Sequence, residues 1–442
     1  MMSQSVKARI KALKESSRVL RVSPNEERIA LLEAIAIGLT RDWPVIQKAN
    51  TEDVAEAKAK ELAPPLIKRL VFDEQKLAEV ILGLNQVAAL ADPIGKVLQR
   101  RLLDDGLLLE QISVPIGVIG MIFESRPDAL VQIVGLCIKS GNGIILKGGS
   151  EAKRTNSALV ESIKKSSEAS SIGSAFVTLL ESHGDVKEML GMNEDIDLLI
   201  PRGSNEFVTY VMEHTSIPVL GHSDGICHLY IDKEADVKKA LPIIIDAKTQ
   251  YPAACNAIET LLVHQDLVSS FLPKVGLALK DAGVIIHGDT RSSEVIECIA
   301  LKESDYYNEY LSLELNIRVV DSLHEAIEHI ETYGSHHTDA IVSEDPEAIK
   351  TFFSSIDSAD IFANCSTRFA DGFRFGFGAE VGISTTKIHA RGPVGLDGLM
   401  STKYLVNGSG QIVATYSGSE AKEYLHKELS TDGPSLVQGG AT

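Results

Sequence analysis

Apolar positions recur at helical spacing through roughly the first 90 residues. Residues 3–20 place Ile10, Leu13, Val19 and Leu20 on one side. A second periodic run, 29–39, follows Asn25-Glu26-Glu27-Arg28 and ends near 41–44. The spacing predicts a further helix over 51–63, with Thr51 as N-cap and Pro64-Pro65 as the stop, and another over 73–90. No strand pattern occurs here, so the stretch reads as a helical layer packed over something else. At 107–114 the pattern changes to a loose alternation. Pro115 interrupts it, and 116–123 is a continuous apolar run of the kind found in buried parallel strands. Strands at 144–147, 175–180, 196–200 and 217–220 then alternate with helices at 128–140, 151–167, 185–190 and 204–213. That alternation predicts a doubly wound parallel sheet and a nucleotide-binding domain. A second set combines strands at 227–231, 259–264, 284–287, 317–320, 339–342 and 360–363 with helices at 236–249, 267–282, 322–332 and 347–355. The Gly- and Phe-rich residues 374–382 read as a loop. Residues 403–406 and 411–416 flank the turn Asn407-Gly408-Ser409-Gly410 and read as a hairpin. Lacking a core of its own, that hairpin is expected to pair with another subunit or with 107–114.

At 442 residues the chain exceeds one compact core, and two or three domains are expected. A net charge of -18 argues against nucleic acid or an anionic membrane as partner, though a local basic pocket for an anionic substrate is compatible with it. The five cysteines are scattered, odd in number and without CxxC pairs, which suits reduced thiols in a cytoplasm and neither a disulfide framework nor a metal site. The amphipathic start lacks the apolar centre of a signal peptide, and no apolar run is long enough to span a membrane.

Candidate chemistry centres on Cys255 in DAKTQYPAACNAIETLLV (246–263). The proline after Tyr251 pushes that residue out of helical geometry, so Cys255 falls on a connection between helix and strand. Ala253, Ala254 and Ala257 leave room for a substrate to approach a thiol. A buried structural cysteine is the commoner fate of such a residue, and on this stretch alone that reading prevails. No GxGxxG follows the first buried strand, where Glu124-Ser125-Arg126-Pro127-Asp128 stands instead. Lys147-Gly148-Gly149-Ser150 ends a strand and opens a helix, as does Pro201-Arg202-Gly203-Ser204. Exposed N–H groups and a cation there suit a cofactor phosphate or ribose, although a plain Gly-Gly turn with a solvated lysine fits the first equally well.

Seven segments carry a family resemblance: VPIGVIGMIFESRPD (114–128), LKGGSEA (146–152), PRGSN (201–205), PVLGHSDGICHLYID (218–232), DAKTQYPAACNAIETLL (246–262), VVDSLHEAIEHIETYGSHHTDAIV (319–342) and RFADGFRFGFGAEVGISTTKIHARGPVGLDGL (368–399). In order and content the chain resembles the aldehyde dehydrogenase superfamily and, within it, the γ-glutamyl phosphate reductase family. The resemblance implies an α/β aldehyde-dehydrogenase-like fold. Residues 1–104 and 117–226 would form a Rossmann-type cofactor domain with an N-terminal helical layer, and 227–367 the catalytic domain. Residues 368–400 would return to the cofactor domain, 105–116 and 401–417 would supply a small oligomerisation hairpin, and 418–442 a C-terminal tail.

The resemblance implies NADPH-dependent reduction of L-glutamyl 5-phosphate to L-glutamate 5-semialdehyde, with phosphate released and no metal. Cys255 would be the nucleophile, accompanied by Asn256 and Ser125. Lys147, Gly148, Gly149, Ser150, Arg202, Gly203 and Ser204 would hold the cofactor, with Glu309 at its nicotinamide ribose. Arg126, His337, Thr338, Asp339, Arg368 and Arg391 are the substrate-binding candidates. Two departures from the superfamily pattern bear on the chemistry. Ser150 replaces a glutamate that bonds the ribose 2′-hydroxyl in NAD-preferring members, and Lys153 and Arg154 are close in sequence, which favours NADPH. Val219 stands where oxidising members carry the base that activates water, so thioester hydrolysis is expected to be slow; His222 is a candidate substitute base. A phosphate-independent semialdehyde dehydrogenase is the rival reading. A homo-oligomer and glutamate 5-kinase are the expected protein partners.

Overall fold

In the computed structural model, which describes residues 5–203, 205–221 and 224–438, the helical layer is present but divided differently. The helix Trp43–Ala59 carries Pro44 in its first turn, where a missing N–H costs nothing. Thr51 is therefore mid-helix and not a cap; its hydroxyl donates to the Gln47 carbonyl at 2.9 Å. For the same reason Pro64-Pro65 is a start and not a stop, opening the helix Pro64–Leu70. Asn50 clamps the end of that helix: its side chain donates to the Leu70 carbonyl and accepts from the Phe72 N–H, each at 2.9 Å.

The first sheet is fully parallel, in the order Val177–Leu180, Gly143–Gly148, Val118–Phe123, Leu198–Arg202. In chain order this is 3-2-1-4, the core of a doubly wound domain. Alternation along the central strand explains the two covered faces. Ile119, Met121 and Phe123 pack into the core beneath the N-terminal helices and Pro127–Ser140. Val118 and Ile122 pack on the opposite side against Ile10 and Leu13 of the first helix, Val6–Val22. The strand expected at 217–220 reduces to one bridge, Leu199 to Val219, because Pro218 has no N–H to extend a ladder.

The second sheet has seven parallel strands, in the order Ile299–Ala300, Ile285–Gly288, Glu314–Val320, Ile258–His264, Cys227–Ile231, Thr338–Val342, Asp360–Ala363. The helix expected from 267 begins later, as Leu272–Asp281, with Pro273 in its first turn.

The third sheet departs most from the sequence pattern. Met400–Asn407 pairs antiparallel with Leu107–Pro115 over eight positions, so the intersheet alternative holds and the local hairpin does not form. The expected return strand is instead a short 3₁₀ turn, Val413–Tyr416. A charged surface strand, Val97–Asp104, adds to Leu107–Pro115 on the other side. The tail is tied along it. Lys427 and Glu428 pair with Leu102 and Arg101. Arg100 donates to the carbonyls of Ser430, Asp432 and Pro434.

A mid-helix Thr51 predicts that Thr51→Ala is neutral or stabilising by up to about 0.5 kcal/mol. Loss of a cap would cost about 1 kcal/mol. A fall in the thermal midpoint would contradict the placement.

Candidate active site

The helix Val237–Thr249 ends just before Tyr251-Pro252, and the chain turns through Cys255 into the buried strand Ile258–His264. Cys255 therefore sits, half-buried, at the amino end of the second sheet. Four contacts fix it. Gly225 lies against its backbone, where a Cβ would come 2.1 Å from the Cys255 carbonyl oxygen and 2.6 Å from its Cα. The wholly buried Cys227 thiol donates to that same oxygen at 3.1 Å. Asn256 donates to the Ala370 carbonyl at 2.7 Å, which ties the loop to the segment after Arg368. Beneath the loop, Lys248 and Glu259 form an ion pair at 2.6 Å with both side chains fully buried. Lys248 is on the incoming helix and Glu259 on the outgoing strand, so the pair closes the loop at its base. Burial pushes Glu259 up to about 7 and Lys248 downward, and their mutual attraction offsets only part of that desolvation.

Other elements converge on the loop. Leu311 N–H reaches Glu259 at 3.4 Å, bringing the segment that carries Glu309 alongside. Glu309 accepts at 2.8 Å from Asn205, the first residue of the helix Asn205–Glu213, and Asn205 also donates to Asp224 at 2.6 Å. Arg368 donates to Gln250 at 3.0 Å. Burial and then the charge of Arg374 pull the Arg368 pKa down, while nearby Cys255 pulls it up. The guanidiniums of Arg69 and Arg126 lie beside the Tyr251 phenol. Burial pushes that phenol up, but the two adjacent cations outweigh it and hold its pKa below the ordinary value. Burial, followed by the charge of Arg202, draws Arg126 down.

The carboxyl ends of the first sheet face this loop. Strand order reverses between Val118–Phe123 and Leu198–Arg202, and open α/β sheets bind ligands at that switch point. Residues 124–126 leave one strand there and Arg202-Gly203 leaves the other. The Glu124 N–H donates to the Arg202 carbonyl at 3.2 Å. Lys147, 5% exposed, ends the neighbouring strand with its ammonium on the Gly148 carbonyl at 2.6 Å, and burial lowers its pKa. A buried cation and two glycines at a strand end fit the phosphate or ribose of a dinucleotide.

Several expected residues sit elsewhere or are already engaged. Ser125 has a positive φ of 43° and gives both its N–H and its hydroxyl to Glu151, at 2.7 and 2.6 Å. It belongs to the Gly148–Glu151 turn, with no hydrogen bond to the Cys255 loop among the described residues. Thr338 and Asp339 are fully buried in their strand. The Asp339 carboxylate takes the His228 N–H at 2.8 Å and the Ser358 hydroxyl, and lies 3.0 Å from the His228 ring, so it serves the core and not a substrate. His337, also fully buried, is 2.8 Å from the Thr338 hydroxyl and 3.8 Å from the sulfur of Cys227, the residue whose thiol bonds the Cys255 carbonyl. Arg391 is already held by Asp357, through its side chain at 2.9 Å and its carbonyl at 2.6 Å. Arg154 is tied to Asp53 and Glu56, at 3.0 and 2.7 Å, and is turned toward the helical layer. Ser204 and His222 lie outside the described residues.

Comparison with known proteins matches this geometry to a family. A model of the aldehyde dehydrogenase family matches residues 2–303. γ-Glutamyl phosphate reductase 1 of Synechocystis sp. is 53% identical over 403 residues, covering 91% of this chain and 93% of that protein. The chain belongs to the aldehyde dehydrogenase family, in its γ-glutamyl phosphate reductase branch. The γ-glutamyl phosphate reductase of Acetivibrio thermocellus is 50% identical, with 96% of this chain and 98% of that protein covered. The crystal structure of γ-glutamyl phosphate reductase from Thermotoga maritima superposes with a TM-score of 0.90 at 38% identity, covering 92% of this chain and all of that one. An acetylating aldehyde dehydrogenase from Geobacillus thermoglucosidasius, at 16% identity and a TM-score of 0.66, shares the fold. Membership of this branch makes the chain an oxidoreductase of proline biosynthesis.

No sequence motif marks Arg69, Tyr251 or the Lys248–Glu259 pair. Tyr251, Lys248 and Glu259 lie within the cysteine segment 246–263, where a lysine and a glutamate flanking the loop are the one local sign of the pair. Arg69 carried no signal, because only the fold brings it to Tyr251.

Removing one member of the buried pair leaves the other charge uncompensated. Glu259→Ala is expected to cost about 3–5 kcal/mol, whereas Lys248→Met with Glu259→Leu recovers most of that. Thermal unfolding of the two variants checks it; equal losses in the single and double variants would show that the pair contributes nothing as a pair.

Proposed function

We propose that this chain reduces L-glutamyl 5-phosphate to L-glutamate 5-semialdehyde with release of phosphate, using NADPH and the Cys255 thiol. The observation that carries the reading is the Cys255 loop, held half-buried at one sheet's amino end against the carboxyl ends of a doubly wound sheet and ringed by cations. The Cys255 thiolate attacks the carbonyl carbon; the sulfur–carbon bond forms and the bond to phosphate breaks. NADPH held at the Lys147 and Arg202 turns would supply the hydride that reduces the resulting thioester. The hemithioacetal then collapses, its carbon–sulfur bond breaks, and the aldehyde leaves.

Residues 1–104 and 117–226 carry the cofactor and 227–367 the nucleophile in this reading. Lys147, Gly148, Gly149, Arg202 and Gly203 hold the dinucleotide, and Glu309, steadied by Asn205, holds its nicotinamide ribose. Arg368 is the nearest cation for the substrate carboxylate. Asn256 positions the loop. NADPH is favoured because exposed Ser150 offers no carboxylate, and Lys153, paired loosely with Glu181 at 3.1 Å, is the cation left beside it once Arg154 is committed. Val219 supplies no base, which leaves phosphate as the better acceptor of the acyl group. The outer edge of Met400–Asn407 is unpaired among the described residues and exposes Tyr404 and Val406, which suits a second copy of the chain. Glutamate 5-kinase is the partner that would deliver the labile acyl phosphate, in a cytoplasm that keeps the cysteines reduced.

Run in reverse, with glutamate 5-semialdehyde and NADP⁺, the reaction is expected to require inorganic phosphate strictly. Cys255→Ala is expected to abolish turnover while NADPH binding stays near normal. Phosphate-independent turnover would favour the semialdehyde dehydrogenase reading, and residual activity in the variant would remove Cys255 as nucleophile. Ser150→Glu is expected to weaken NADPH about tenfold or more relative to NADH by like-charge repulsion. An unchanged NADPH/NADH preference would place the 2′-phosphate elsewhere.

A further inference from the structure

Tyr251 brings together two guanidinium groups that are far apart in sequence. Arg69 comes from the helix Pro64–Leu70, whose end Asn50 clamps from the neighbouring helix. Arg126 leaves the central strand of the first sheet, immediately before the helix Pro127–Ser140. Both guanidiniums lie beside the Tyr251 phenol. The Arg69 Nε is buried and has no hydrogen-bond partner among the described residues. A third guanidinium, Arg202, is close to Arg126 and pairs with Glu380 at 3.4 Å. Neither Arg69 nor Arg126 has a salt bridge among the described residues. Asp128 is the one carboxylate beside Arg126 among the described residues, so three guanidiniums share two carboxylates here. On a chain of net charge -18, that local excess of cations is arranged for an anion that is not part of the chain.

We propose that Arg69, Arg126 and Tyr251 form the seat of the acyl phosphate's phosphoryl group, which holds it for attack and then receives it as the leaving phosphate. The inference rests on the acyl-phosphate reading above. Phosphate presents several acceptor oxygens and two negative charges, and paired guanidiniums meet both. Position separates this seat from one for the α-carboxylate. Tyr251 is four residues from Cys255 in the same loop, at most about 14 Å of chain. The phosphate is joined through one oxygen to the carbon that Cys255 attacks. The α-carboxylate is at the far end of the five-carbon chain. Arg368, held on the same loop through Gln250, remains for it.

The chemistry balances at this seat. As the Cys255 sulfur bonds to the acyl carbon, the carbon–oxygen electron pair leaves with the phosphate. The departing oxygen takes the proton of the Tyr251 hydroxyl, and Tyr251 recovers one from solvent. The arginines that hold the phenol pKa below its ordinary value make it a better proton donor and stabilise the transient phenolate.

The test uses the full chain in the reverse direction, with inorganic phosphate as the varied substrate. Arg69→Ala is expected to raise the KM for phosphate about ten- to a hundredfold, as for loss of a charge-assisted hydrogen bond. The KM values for semialdehyde and NADP⁺ are expected to stay within about twofold, and Arg69→Lys to recover part of the phosphate effect. Tyr251→Phe is expected to lower kcat about a hundredfold or more, with a smaller change in phosphate KM. The seat is overturned if semialdehyde KM rises while phosphate KM does not, since the cluster then holds the carboxylate. It is overturned equally if a folded Arg69→Lys leaves all three KM values unchanged while Arg69→Ala merely unfolds. Wild-type turnover without phosphate is a different result: it overturns the acyl-phosphate reading and the seat with it.

Discussion

Everything at the candidate site depends on how tightly the backbone of Cys255 is held from below. Gly225 touches it so closely that no side chain fits between them, and the Cys227 thiol occupies the carbonyl. The Lys248–Glu259 pair joins the two ends of the loop through a wholly buried contact. Such a pair adds little net stability, since desolvating two charges consumes most of their attraction. It does restrict register: a helix end or strand start that slipped would leave an ion unpaired in the core. The loop itself contains the small residues Ala253, Ala254 and Ala257, so its geometry is inherited largely from this base. A nucleophile that must meet a carbonyl carbon within a few tenths of an ångström benefits from that arrangement.

The second constraint is electrostatic. The chain is strongly acidic overall, yet the surroundings of the loop are cationic, with Arg368 on one flank and Arg69 and Arg126 on the other. Acidic residues neutralise cations elsewhere in the fold: Arg154 by Asp53 and Glu56, Arg391 by Asp357, Arg100 by Glu110. The cations near Cys255 are left with less. A charged substrate would be drawn to that contrast in a low-dielectric cleft more strongly than to any uniform surface charge.

The arrangement of the sheets decides which chemistry faces which. The first sheet presents its carboxyl ends, where backbone N–H groups and Lys147 suit a dinucleotide. The second presents its amino ends, where Cys255, the Glu309 segment and His337 gather. The Asn205–Glu309 bond joins the two sets across the cleft. This opposition explains why a usual rule for α/β sheets, that function sits at the carboxyl ends, locates half of the candidate site and misses Cys255.

The sequence by itself determined the alternation of strands and helices, both parallel sheets, the cysteine loop and the Lys147 turn. Each rests on local periodicity or on turn chemistry within a few residues. It also carried the family, because whole segments such as 246–262 resemble that family's. Local rules failed where a partner from far along the chain took over. Prolines 44 and 64 read as stops but open helices, since only the following residues decide whether a proline's missing N–H matters. The late hairpin did not close because Leu107–Pro115 had already claimed the pairing edge of Met400–Asn407. Asp339 looked like a substrate ligand until the sheet placed His228 and Ser358 against it. Arg69, about 180 residues from Tyr251, had no signature at all. Tertiary structure alone decided which charges remain uncompensated, because that depends on which side chains meet in space, and no spacing along the chain encodes it.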